Sequence, residues 1–215
     1  MTDTRFERAI AAIDAVNAED PNRISFGGAA RPKELVHAEL VTEWVRRMRP
    51  DAGEALLLAA RAHHVGRWLI PRSSYPTGRA GYLRWRRALH DLHAARVAEI
   101  LAPLGYEDET ISRVQDLVRK RGLGEDPEVQ ALEDALCLVF VQTQLHDLLG
   151  RLDDEKAVDV VAKTLRKMSD EAIELVGTVD LMPADAALIE RARLHEAARS
   201  PASGSARDRS PDSGA

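Results

Sequence analysis

Four histidines and an aspartate fall at apolar-facing positions on four predicted helices: His37, the adjacent pair His63 and His64, His93, and Asp134 with Glu133 beside it. Burying imidazole or carboxylate costs free energy unless each finds a partner. A divalent transition metal, Mn, Fe or Zn, is the partner that would satisfy them together. In that reading His37, His63, His64 and Asp134 hold the ion, while His93 and Glu133 move protons or orient the ligands. The alternative for each histidine is a core residue bonded to a nearby backbone carbonyl. His90 reads as a surface residue, and His146 and His195 have no matching partners.

An arginine-rich stretch begins directly after His64. Arg67, Arg72, Arg79, Arg84, Arg86 and Arg87 are interleaved with Trp68, Tyr75, Tyr82 and Trp85. Guanidinium forks take phosphate oxygens in pairs, and aromatic rings stack on flat cations or bases. Pro71, Pro76, Gly78 and Gly81 give this loop a definite shape rather than a floppy one. Arg67, Arg72, Tyr75, Arg79, Trp85 and Arg86 are therefore the expected contacts to an anionic, phosphorylated small molecule. Surface ion pairing with the chain's acidic residues is the competing account of the arginines.

Helices must position these groups. Apolar residues recur at spacings of three and four, with no clean strand alternation. A first helix is expected over about 3–18, followed by a loop containing Gly27 and Gly28. Pro32 then opens a helix to about Met48. Asp51 caps the next helix, which runs to about Val65. After the loop at 66–79, helices are expected over about 80–102, 107–121, 127–149, 153–176 and 183–199. The apolar run ALCLVFV (135–141) makes the helix opened by Asp126-Pro127 the central, most buried one. The expectation is an all-α bundle of about seven or eight helices: one domain over 1–180, an amphipathic C-terminal helix over 181–199, and a disordered tail over 200–215.

The chain has 215 residues, 45% of them hydrophobic, and a formal net charge of −5. That charge and the lack of lysine clusters argue against nucleic acid as the partner. Its single cysteine, Cys137, forms no internal disulfide and fits a reducing compartment. No signal-peptide core or membrane-length apolar run is apparent, so the expected location is cytoplasmic, away from membranes.

The order of these residues resembles the HD-domain superfamily, all-helical metal-dependent phosphohydrolases. Their core motif is His-Asp, an apolar residue, then Gly-Lys, and His63-His64-Val65-Gly66-Arg67 matches it with His64 in place of the aspartate. The resemblance implies that His37 is the first histidine ligand and that Asp134, in Glu-Asp-Ala-Leu, is the last aspartate ligand. His93, in LHAARVAEIL, resembles an extra histidine of some members. His64 departs from the pattern and leaves the metal's identity open. The stretch RWLIPRSSYPTGRAGYLRWR, followed by LHAARVAEIL and LEDALCLVF, is also similar to an uncharacterised domain-of-unknown-function family over about residues 5–176. Positions matching His37 and His63 are not always histidine there, which moves weight to His64, His93, Glu133 and Asp134.

Three readings follow: a metal-dependent hydrolase of a phosphorylated small molecule or nucleotide, a diiron oxygenase on the same fold, and a non-enzymatic anion- or partner-binding protein with structural histidines.

Overall fold

The computed structural model describes residues 4–199, so the tail expected over 200–215 lies outside the described residues. Thr4 starts α1 (Arg5–Ala18) with a capping box: its hydroxyl accepts from the Glu7 amide, and the Glu7 carboxylate accepts from the Thr4 amide. Two short strands follow, β1 (Arg23–Phe26) and β2 (Ala29–Pro32), paired antiparallel with Phe26 opposite Ala29. Sequence periodicity read this region as a loop. Four-residue strands are too short to show alternation, but Gly27 and Gly28, at φ of 60° and 81°, form the two-residue turn that closes them.

Pro32 closes β2 directly before α2 (Lys33–Met48) and supplies no side-chain cap. The buried Asp20 does so from a distance. Its Oδ2 accepts from the Glu34 amide at 3.0 Å, while Oδ1 accepts from Asn22. The apolar face of α2 buries Val36, Leu40, Val41, Trp44, Val45 and Met48. Next comes α3 (Glu54–Ala62), capped by Gly53 rather than by Asp51.

The long helix α4 (Gly78–Leu101) packs against α5 (Asp108–Val118). Asp126 accepts from the Glu128 and Val129 amides to open α6 (Pro127–Thr143). This helix is buried almost all round, as ALCLVFV predicts, and packs on α2. Cys137 lies within it, and burial pushes its thiol up to about 12.

Two expected long helices are broken. The helix expected to reach 149 stops at Thr143, whose hydroxyl bonds back to the Val139 carbonyl at 2.7 Å and competes with the helical ladder. After α7 (Leu145–Leu149), the helix expected over 153–176 divides into α8 (Asp154–Leu165) and α9 (Asp170–Val176). Ser169 starts α9 by accepting from the Ala172 amide. The fifth expected helix ends at Val118, in a turn centred on Lys120. Last is α10 (Pro183–Arg199).

The architecture is an all-α helical bundle with one two-stranded hairpin among the described residues. Residues 4–144, with 167–179, form one compact unit; 145–166 and 180–199 form another. In the second unit α8 packs on α10, with Arg166–Glu196 and Arg191–Asp154 ion pairs at 3.0 and 3.2 Å. No helix among the described residues is long and apolar enough to cross a membrane.

One glycine fixes how the arginine loop enters α4. A Cβ on Gly81 would stand 1.9 Å from the Pro76 carbonyl oxygen. Gly81→Ala must push that loop away, and we expect a loss of about 1–2 kcal/mol in chemical denaturation.

Candidate metal centre

Glu34 and His37 lie one turn apart on α2, so both point into the first unit from the same face. His64 reaches them from the turn after α3. In that turn the Val65 amide bonds to Ala62 and the Arg67 amide to His64, and Gly66 adopts φ 73°. One ligand atom from each of Glu34, His37 and His64 lies within 4.8 Å of the others. Glu34 and His37 are buried, whereas 30% of the His64 side chain is exposed, leaving an edge through which a ligand can enter.

The hydrogen bonds assign the protons. The Thr143 hydroxyl bonds to the Val139 carbonyl at 2.7 Å and stands 3.4 Å from His37 Nε2. His37 Nδ1 faces Glu34 Oε2 at 3.8 Å. Arg67 Nη1 can only donate, so His64 Nε2 accepts from it at 3.3 Å. His64 Nδ1–H then donates to Glu34 Oε2 at 3.0 Å. His93 donates Nδ1–H to the Val65 carbonyl at 2.9 Å, and its buried Nε2 has no hydrogen-bond partner among the described residues. Its ring centroid is 5.7 Å from that of His64. His63 donates to its own helix at the Ala60 carbonyl, 2.8 Å away, with its ring 4.2 Å from His64.

Burial holds all four imidazoles neutral. It lowers His37, and it lowers His63 and His64 well below the ordinary value, with His64 and Arg67 as the next causes respectively. His93 is pushed down to about 4, chiefly by burial. Neutral imidazole is the form that binds metals. The same shifts predict a pH dependence. Unfolded imidazole binds protons near pH 6.5 and folded His93 only near 4, so the unfolded state holds more protons between them and stability rises with pH in that window. His93 alone should cost on the order of 2 kcal/mol between pH 7 and pH 5. Urea titrations across that range check it. Asp126, held down to about 2 mainly by Arg113, would lose its contribution only at lower pH.

Other expected site residues go elsewhere. Asp134 is not brought to the cluster. Its Oδ1 accepts from the Ser169 amide and from Gln130, both at 2.9 Å, and its Oδ2 from the Ser169 hydroxyl at 2.6 Å. Glu133 is buried against Lys120, with Lys167 3.6 Å away. Arg72 spends its guanidinium on the Tyr75 and Pro76 carbonyls, both at 2.9 Å, shaping the loop; Tyr75 itself is half-buried. Arg79 is exposed at the start of α4. Trp85 anchors the loop through the Ile70 carbonyl at 2.9 Å and offers its ring to Arg67, 5.1 Å away. Arg86 lies 6.0 Å from the Tyr82 ring. Arg67 is the arginine that touches the cluster, with Nε 3.7 Å from Glu34 Oε1.

Glu34 was missed. A glutamate in the first turn of a helix reads as a complement to the helix dipole. The available signal was Glu34-Leu35-Val36-His37, the Glu-x-x-His spacing that helical metal sites use.

No curated protein and no solved structure matches the chain. The family described as Domain of unknown function (DUF4202) matches residues 7–189, and the chain belongs to it.

Proposed function

We propose that this chain is a metal-dependent hydrolase of a phosphorylated small molecule, with Glu34, His37 and His64 as the metal ligands. The observation that carries this reading is the cluster itself: ligand atoms of Glu34, His37 and His64 lie within 4.8 Å of one another, with Glu34 and His37 buried. Carboxylate and imidazole gathered this closely out of water are groups that one cation would satisfy together. The unpartnered Nε2 of His93 beside His64 is a second group that fits a cation. The donor set, imidazole with carboxylate, suits Mn, Fe or Zn.

Held by Glu34, His37 and His64, a divalent ion would supply Lewis acidity and lower the pKa of water. The protein's own groups do the rest. The Val65 carbonyl holds His93 in one tautomer, and the Thr143 hydroxyl stands against His37 Nε2. Arg67, against the Trp85 ring and on the exposed side of His64, takes a phosphate oxygen and neutralises charge that builds in the transition state. The likeness to HD phosphohydrolases supports this reaction class, with Glu34 supplying the carboxylate in place of Asp134.

One observation favours a second reading. Both ring nitrogens of His64 already have protein partners, Glu34 and Arg67, as they would in a metal-free anion-binding protein. Elemental analysis of protein expressed with Mn, Fe and Zn separates the two, combined with phosphate release from a panel of phosphorylated metabolites and nucleotides. A hydrolase carries tightly held metal and releases phosphate until chelated. Protein that stays metal-free after dialysis against all three ions and releases no phosphate sinks the proposal.

A further inference from the structure

Lys120 sits where a helix ends and glycine is normally preferred. Its φ is 59°, the only left-handed value outside glycine among the described residues. Its amide bonds to Leu117 and the Arg121 amide to Asp116, the pair of bonds that closes a helix at such a residue. A lysine there costs stability that a glycine would not, which points to a use for the side chain.

The packing of α4 on α5 shows where that side chain stands. Gln115 donates to the Ala94 carbonyl at 2.7 Å, and Arg119 lies 3.8 Å from Asp91. Advancing along α5 therefore retreats along α4, and Lys120 follows Arg119, whose contact Asp91 is the neighbour of His90; Arg86, His90 and His93 share one face of α4, and the His93 ring lies 5.7 Å from that of His64. Burial first, then the charges of Arg86 and Lys120, hold His90 down to about 4. The Lys120 ammonium rests on the buried Glu133 carboxylate, which Lys167 already approaches at 3.6 Å. Arg67 lies 3.7 Å from Glu34, and Lys120 and Lys167 both face Glu133, so three cations meet two buried carboxylates.

We propose that Lys120, with Arg67 and Arg86, binds the phosphate group of the ligand beside the Glu34–His37–His64 cluster, and that Glu133 holds its ammonium in place until that oxyanion arrives. This rests on the reading of the site as phosphate-directed, and it names a contact outside the arginine loop.

The test is calorimetric titration of the full chain with inorganic phosphate, with metal content measured on the same samples. Lys120→Gly keeps the backbone turn, because glycine is unstrained at this φ, and it removes the ammonium. A charged hydrogen bond to phosphate is worth enough that this variant should bind about tenfold or more weakly. Lys120→Arg should stay within about threefold of the parent, since guanidinium also binds phosphate. A parent chain that shows no phosphate binding up to about 10 mM overturns the proposal. So does a Lys120→Gly chain that titrates like the parent. If metal is present and phosphate binding is indifferent to Lys120, only this inference falls. Absent metal with weakened binding in Lys120→Gly supports the phosphate contact and removes the hydrolase.

Discussion

Glu34→Gln is expected to abolish metal binding at the proposed centre while leaving the protein folded. The substitution keeps the shape of the side chain, and its backbone amide still bonds to Asp20. It removes the negative charge that faces His37 at 3.8 Å and His64 at 3.0 Å. Loss of groups that merely orient a metal ligand costs about 10–100-fold in affinity, and loss of a direct carboxylate ligand should exceed about 100-fold. Any phosphate-releasing activity should fall with it. Metal content by elemental analysis, beside circular dichroism of the same sample, checks the result. A variant with parental metal content would show that Glu34 is only a hydrogen-bond acceptor for His64.

The second large effect belongs to Asp134, and it is an effect on folding. Its carboxylate takes two bonds from Ser169 and one from Gln130, and Ser169 in turn caps α9. Asp134→Ala leaves these donors without their acceptor in a buried setting, a loss of about 3–4 kcal/mol. Urea denaturation should show that drop, while the protein that remains folded binds metal as the parent does. Full stability with loss of metal would restore Asp134 to the place that the HD resemblance gives it. The two variants separate a residue that fastens α9 to α6 from one proposed to hold a cation.

Their difference also explains what the sequence could reveal. The all-α class, the buried α6 and the inward direction of His37, His63, His93 and Asp134 were legible, because helical spacing dictates which face a residue occupies. Spacing does not say what stands opposite that face. Asp134 points inward as expected, but its partner Ser169 lies 35 positions away in a break between α8 and α9 that apolar periodicity runs through. His63 is inward too, yet the helix end gives it the Ala60 carbonyl first. Glu34 and Lys120 were harder. Glu34 left only its Glu-x-x-His spacing, in a first turn where a glutamate also serves the helix dipole, and Lys120 stands out only through a backbone conformation at the end of α5 that leaves no periodic trace.

Cys137 turns the burial of α6 into something measurable. With its sulfur sheltered and its proton held to about pH 12, an alkylating reagent at neutral pH meets almost no thiolate in the folded chain. Labelling must wait for the central helix to come loose, so the rate at which the lone sulfur is modified is a clock for that opening. It can be read in intact protein by mass, with no engineered probe.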